Sequence, residues 1–433
     1  MAKGNLKQME DKLKNLLHDI YFRLLLTDPK SRKVIICESP LVPIVVKQTI
    51  ARILFDYFQV PSLSFVPIHL MALMTTGLTT GLVIDCGHLE TTTLPIYSAR
   101  PLIPYITTTS LAGQAVTRRL VTLLLDHGRL IPPSNLHLSL APHVPIPISV
   151  LTPLLLEEIK TRVLFCSVSS GSNTNPSYPP QSQPTSISST PQQQRRHDAL
   201  NKDERIESDQ TTSHATDIHF PIQLPTTQEK ATLMIPGWIR EHAMDILFEG
   251  NDESDYACKD IDIGDHDHSD DDTNKPTATA ATTTTGIQQD YEFETGIAHC
   301  ILNCLRKVPA DLRKPMISSL LVVGGTALVP GFQKKLKHTL LMILHSPTPL
   351  EKARYASLAG LAPFIQFLDQ QTLDDQHQQK SGPIFKSNVR GWIGGSLMGS
   401  LKLSGEEMVK EKFNGTVTDW SIGQLSSQGA EPE

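Results

Sequence analysis

Short apolar runs that alternate with helical patterns constrain the fold of this chain more than any other feature. Val34–Cys37 (VIIC) is a continuous apolar run, which predicts a strand buried on both faces. Ser64–Pro67 and Gly81–Asp85 predict two further strands. Short apolar strands that alternate with helices imply a parallel sheet with helices packed on its faces, so we expect an α/β fold. Helical spacing of apolar residues is found over residues 6–26, 43–58 and 68–76.

Two biased tracts interrupt this pattern. Residues 167–216 are dominated by Ser, Pro, Gln, Thr and Asn, and residues 251–289 are first acidic and then rich in Thr and Ala. Such tracts cannot bury enough apolar surface to offset an ordering entropy of roughly 1–2 kcal/mol per residue, so we expect two disordered insertions. The HDHSDDD cluster carries side chains that bind divalent ions, but nothing fixes their geometry, and we interpret it as a solvated charge run.

Composition excludes few classes of protein but disfavours several. The net charge of −6 offers no basic excess for nucleic acid, so we expect no nucleic-acid partner. The six cysteines contain no CxxC pair, which disfavours zinc and redox sites. The N-terminus is charged throughout, and no apolar run is long enough for a membrane span. We therefore expect a cytoplasmic protein without membrane insertion.

Three glycine-bearing turns carry the candidate chemistry: a hairpin at 85–97, GGTALVPGF at 324–332 and GWIGGS at 391–396. Glycine lets the backbone approach a phosphate or a flat base closely, and a following helix N-terminus offers free N–H groups. Each turn alone is a weak signal, because a tight turn needs glycine without any ligand.

These motifs resemble the actin family. DCGHLETTTLPIY, LVVGGTALVPGF and GWIGGSLMGSL are similar to its second phosphate hairpin, its adenosine loop and its late tryptophan–glycine motif. Leu111–Gly113 and Glu158–Lys160 fall where the family has its ribose- and adenine-side segments. YFRLLLTDPKSRKVIICESPL, VPSLSFVPIHLMALMTTG, MDILFEGND and VPADLRKPM resemble the divergent actin-related subfamily of the dynactin pointed end. The resemblance covers residues 9–166, 217–250, 290–345 and 390–402.

The resemblance implies an actin-like (ribonuclease H-like) two-lobed fold with a nucleotide cleft. It leaves open whether ATP or ADP with Mg is kept as a structural ligand. It implies no catalytic residue and no metal site built from protein ligands alone. The residues that match the family's nucleotide-binding positions, in a degenerate site, are Asp85, Gly87, His88, Gly113, Lys160, Gly324, Gly325 and Thr326.

Departures from the family pattern favour a non-enzymatic protein. His88 and Leu89 stand where the family has Asp and Gly, and leucine strongly disfavours positive φ. His69 stands where the family has a water-positioning glutamine, and Thr161 replaces a ribose-contacting Glu. At Gly324–Thr326 a ligand contact and a plain strand-to-helix turn remain equal alternatives. For Asp85 a turn-capping role is favoured over a metal-facing one.

The resemblance also implies an N-terminally incomplete fold. The family's opening three-stranded meander with the first phosphate loop, and its small inserted subdomain, have no counterpart before or after the helix at 6–26. Without the meander, the strand at Val34–Cys37 would be an open edge. This predicts either that a natural N-terminal segment is missing, which we favour, or that a partner chain covers the edge. The expected organisation is a first lobe at 1–130, an irregular segment and helix at 131–166, second-lobe segments at 217–250 and 290–345, a return to the first lobe at 346–404 and a polar tail at 405–433.

We expect from this resemblance a cytoplasmic, cytoskeletal, structural subunit of dynactin. It would cap the pointed end of the actin-like filament and support dynein-driven transport on microtubules. Its partners would be other dynactin subunits, namely the actin-like filament and pointed-end proteins. The alternatives are a nucleotide-binding actin-related protein with residual ATPase activity and a nuclear actin-related subunit of a chromatin-remodelling complex.

Overall fold

The structure is a computed structural model that divides the chain into two compact units. The first contains residues 1–109, 298–328 and 339–433, and the second residues 110–297 and 329–338. Most of the two predicted disordered insertions lies outside the described residues. The structure describes residues 3–132, 143–168, 213, 215–225, 229–250, 295–368, 385–403 and 406–417.

The first unit opens with helices packed on a small sheet. Strands β1 and β2 pair in parallel, with Val34 opposite Leu63, and the short β11 pairs antiparallel with β2. Apolar side chains from both helix ends, among them Tyr21, Phe55 and Phe58, form a buried core against this sheet. The elements are α1 (Lys3–Asp19), β1 (Val34–Glu38), α2 (Ile44–Arg52), β2 (Ser62–Pro67), α3 (Ile68–Met74) and β11 (Met408–Val409).

The prediction that the VIIC strand is buried on both faces is wrong. Residues 34–37 are only half-buried, and Glu38 alone in β1 is fully buried. Within the described part of the chain, β1 lies at the edge of its sheet and pairs with β2 alone. Whether an apolar strand is covered depends on neighbours that are distant in sequence, and a local run of residues carries no information about them.

A second sheet in the first unit holds the predicted hairpin. Its strand order is β10–β3–β4–β5, and β6 also pairs with β4. The β3–β10 pair is parallel, whereas β3–β4 is antiparallel, so the expectation of a parallel sheet is right for only part of the fold. A four-residue turn between β3 and β4 permits only antiparallel pairing. These strands are β3 (Gly81–Cys86), β4 (Thr91–Tyr97), β5 (Arg100–Pro101), β6 (Thr107–Thr109) and β10 (Leu320–Val323).

The second unit is built around an antiparallel sheet of order β7–β9–β8. The hairpin predicted after residue 218 is confirmed, because β8 pairs with β9 and places Ile218 opposite Ile235. The single helix predicted from Gly237 to Phe248 is wrong, since a tight turn before Ile246 divides it into two. The elements are α4 (Gly113–His127), β7 (Arg129–Ile131), α5 (Pro153–Arg162), β8 (Ile218–Gln223), β9 (Lys230–Ile235), α6 (Gly237–His242) and α7 (Ile246–Glu249).

Five further helices complete the described structure. The late glycine motif forms a helix, α12, that packs closely on α3, where a Cβ on Gly394 would lie 1.9 Å from the carbonyl oxygen of Met71. In the described residues no helix is both long and apolar enough to cross a membrane. The helices are α8 (Ile297–Lys307), α9 (Ala310–Ile317), α10 (Phe332–His345), α11 (Pro349–Tyr355) and α12 (Arg390–Ser400).

Candidate functional site

The hairpin of β3 and β4 places Asp85 at the end of a buried strand. Asp85 lies directly opposite Thr92 of β4 and, on its other side, opposite Val323 of β10. The amide of Gly87 donates to the carbonyl of Glu90 at 3.1 Å and closes the turn. The predicted strand, turn and strand are therefore present.

The turn itself contains no left-handed residue. Gly87 and Leu89 both have negative φ, and the Leu89 side chain points into solvent with 64% of its surface exposed. His88 is also exposed at the turn. The departure at Leu89 thus leaves the hairpin intact but gives it an ordinary turn in place of a glycine-type loop.

The adenosine-type loop contacts this hairpin directly. Gly324 follows β10 with φ +98°, and a Cβ there would lie 2.2 Å from the carbonyl oxygen of Cys86 and 2.8 Å from Oδ1 of Asp85. The hydroxyl of Thr326 donates to the carbonyl of Gly87 at 2.9 Å. The structure therefore brings Asp85, Gly87, Gly324 and Thr326 together, and the fold alone requires a glycine at 324.

Gly325 differs from its neighbour. It is exposed, its φ is negative, and a Cβ built on it would meet nothing within 4 Å. Neither backbone conformation nor packing requires glycine here. The flat face that remains open at Gly325 is suited to close approach by a ligand such as a base ring.

The carboxyl group of Asp85 is half-buried at the end of β3. Burial raises its pKa, and among the described residues no cation and no hydrogen-bond donor contacts its carboxylate. A half-buried carboxylate that keeps its charge is stabilised by any cation that comes close to it. The described residues contain no group of three or more His, Cys, Asp or Glu side chains that could hold a metal ion.

His69 is fully buried at the start of α3. Neither ring nitrogen completes a hydrogen bond of ordinary geometry within the described part of the chain. Burial lowers the pKa of His69 to about 4, against the opposing effect of the nearby Thr92 backbone. The imidazole is therefore neutral at physiological pH. Its ring is enclosed by the protein and presents no surface to a ligand.

The remaining two predicted site residues, Gly113 and Lys160, lie in the second unit. The Lys160 ammonium donates to the Gly113 carbonyl at 3.2 Å and pairs with Glu157 at 2.6 Å. This contact ties α5 to the first turn of α4, and the Lys160 side chain is buried. The hydroxyl of Thr161 donates to the carbonyl of Glu157 on its own helix. Lys160 thus has a structural function whether or not a nucleotide is bound.

Sequence reasoning missed a buried charge cluster in the second unit. Nδ1 of His242 lies 2.6 Å from Oδ2 of Asp245, and Lys335 forms an ion pair with the other carboxylate oxygen. Burial alone would raise the pKa of Asp245, but Lys335 and His242 outweigh it and lower the pKa. Because Lys335 is 90 residues from Asp245 along the chain, no local pattern could have revealed this pair.

Two comparisons with known proteins concern the family of the chain. The family model described as Actin matches residues 1–144 and 270–412. The chain is 25% identical to actin-related protein 10 of Dictyostelium discoideum over 401 aligned residues, which cover 90% of this chain and 67% of that protein.

Proposed function

The chain belongs to the actin family, and on that premise we propose that it is a non-catalytic actin-related subunit of dynactin. It caps the pointed end of dynactin's actin-like filament and so supports dynein-driven transport along microtubules. It acts in the cytoplasm with the cytoskeleton, and its partners are the actin-like filament and the other pointed-end proteins. The similarity to actin-related protein 10, together with the four segments that resemble the dynactin pointed-end subfamily, supports this choice within the family.

The observation that supports a non-catalytic function is the state of His69. A group that orients an attacking water must expose a polar atom to that water. His69 replaces the family's glutamine, and it is neutral and has no exposed surface. The ordinary turn at Leu89 removes a second feature of a hydrolytic phosphate loop.

We propose in addition that a nucleotide binds as a structural ligand. Asp85 would face its metal, and Gly325 would lie against its adenosine side. A metal bound with the nucleotide would supply positive charge next to the Asp85 carboxylate, whose pKa is raised by partial burial. The chemistry of hydrolysis is not needed for this function.

Affinity purification of the tagged full-length protein from its own cells tests the main proposal. We expect other dynactin subunits in stoichiometric amounts, identified by mass spectrometry, and no ATP hydrolysis above that of a His69→Ala variant. Purification without any dynactin subunit, or with chromatin-remodelling subunits from nuclei, would overturn it. Hydrolysis that His69→Ala abolishes would instead support the residual ATPase.

A further inference from the structure

An exposed apolar surface follows helix α1. The helix ends in a wide turn over Ile20–Leu24, and four apolar side chains within and directly after this turn are exposed to solvent. Exposed apolar groups of this size, when contiguous, mark interaction sites. We call this set of residues the leucine surface, and its members are Phe22 (48% exposed), Leu24 (75%), Leu25 (59%) and Leu26 (80%).

The backbone at Leu26 has a close internal comparison. Helices α1 and α2 both end in a wide turn, and both are followed by a left-handed residue, Leu26 at φ +48° and Gln59 at φ +58°. The next amide closes each end on a carbonyl six residues earlier, at 3.0 Å after α1 and 3.1 Å after α2. The two helix ends therefore share one geometry and differ in the side chain at the left-handed position.

The fold does not account for a leucine at this position. Glycine or asparagine is usual after a helix cap, because other residues are strained at positive φ. Gln59 at least presents a polar side chain to water, whereas Leu26 exposes an apolar one. Leu26 thus destabilises the free protein in two ways, through a strained backbone and through an exposed apolar side chain. A binding partner that covers the side chain would remove the exposure.

Charge around the leucine surface indicates what it contacts. Residues 22–33 contain four basic residues and one acidic residue, Asp28. Arg23 pairs with Asp19 at 3.1 Å and Lys33 pairs with Glu407 at 2.7 Å, so among the described residues only Lys30 and Arg32 of these four form no ion pair. Asp28 is occupied in a turn, where its side chain accepts from the amide of Lys30 at 3.1 Å. Lys30 and Arg32 are exposed. The apolar centre with a basic rim is complementary to leucines flanked by acidic residues.

The length of the surface favours a helix as the occupant. A shallow groove on α1, N-terminal to the leucine surface, is lined by Met9, Lys12, Leu13 and Leu16, and Leu16 is 56% exposed. At 1.5 Å per residue, Leu16 and Leu24 are about 12 Å apart, which is about two turns of a bound helix. An anionic membrane is disfavoured, because the net charge of the chain is −6 and the apolar run is limited to one helix end.

We propose that the leucine surface binds an amphipathic helix of a partner protein, whose leucines are flanked by acidic residues. The leucines of that helix cover Leu24 and Leu26, and its carboxylates face Lys30 and Arg32. This inference does not depend on the proposed function in dynactin. It assigns a binding surface and a partner chemistry to a segment that the nucleotide site does not use.

Leu26→Gly separates this inference from a structural explanation. Glycine removes the strain at positive φ, so we expect the variant to unfold at a temperature higher than the wild type by roughly 2–4 °C. The same variant should bind the partner helix at least about tenfold more weakly. Leu154→Ser is the matched control, because Leu154 is 81% exposed in the other unit and should leave binding unchanged.

The probe is a phage library of random peptides selected on the full-length protein. The inference predicts selected peptides with leucines at helical spacing beside Glu or Asp, weakened by Leu26→Gly and by the double charge reversal Lys30→Glu/Arg32→Glu. It is overturned if no selected peptide is weakened by Leu26→Gly, or if the selected peptides are basic. It is also overturned if Leu26→Gly instead abolishes binding to phosphatidylserine vesicles, or abolishes a dimer seen by sedimentation velocity.

Discussion

Replacing each of two adjacent glycines with alanine tests how the adenosine-type loop is built. At Gly324, positive φ costs a non-glycine residue about 1–3 kcal/mol. The new Cβ would also lie 2.2 Å from a carbonyl oxygen, and relieving such an overlap costs about 1–3 kcal/mol more. We therefore expect Gly324→Ala to lower the free energy of unfolding by roughly 2–6 kcal/mol. Gly325→Ala adds a Cβ that contacts no other atom, so it should change the free energy of unfolding by less than about 0.5 kcal/mol.

The assay is hydrogen exchange by mass spectrometry on peptides that cover β3 and β10, because the two units need not unfold together. Gly324→Ala should speed exchange in both strands, and Gly325→Ala should leave it unchanged. Equal stability of Gly324→Ala and the wild type would refute the steric reasoning. Gly325→Ala also tests the ligand: we expect unaltered folding but about tenfold weaker adenine nucleotide binding, and unaltered binding would exclude approach at Gly325.

Three further predictions concern buried charges. Lys47→Met leaves the buried carboxylate of Glu38 without its 2.9 Å ion pair and should lower the free energy of unfolding by about 3–5 kcal/mol, measured by urea titration. Lys33→Met removes an exposed pair and should cost less than about 1 kcal/mol, and equal losses would contradict the argument. Folding lowers the pKa of Asp245, so its contribution to the free energy of unfolding is complete above about pH 4, the pKa in the unfolded chain. This contribution is lost as the pH falls through the lower pKa of the folded state. Asp245→Asn should abolish this acid dependence of the unfolding free energy. The pKa of His69 is about 4 in the folded protein, so the unfolded chain binds the proton first as the pH falls. The free energy of unfolding should therefore fall by up to about 3 kcal/mol between pH 6.5 and 4. A His69→Gln variant with the same pH profile would show that the ring does not titrate as described.

Local sequence patterns were sufficient to predict the strands and the turn around the candidate site. The apolar run before Asp85, the glycine turn and the alternating residues after it predict the β3–β4 hairpin, and the structure has it. Each feature acts within a few residues, which is the range over which propensity and periodicity operate. The helix after Pro330–Gly331 was predicted on the same grounds.

The features that local patterns could not predict depend on contacts between residues far apart in the sequence. Gly324 and Gly325 look alike in sequence, yet only the carbonyl of Cys86, 238 positions before Gly324, makes one of them obligatory. The exposure of β1 and the Asp245–Lys335 pair likewise depend on partners far along the chain. Leu26 was part of a predicted helix, and its left-handed backbone follows from how the helix end closes.

The position of the chain within purified dynactin shows whether it caps the filament. The measurement is electron microscopy of dynactin purified through a tagged copy of this protein, with an antibody fragment bound to the tag. We expect one label for each complex, at the pointed end of the actin-like filament. Labels along the side of the filament, or a tagged protein recovered without any filament, would contradict it.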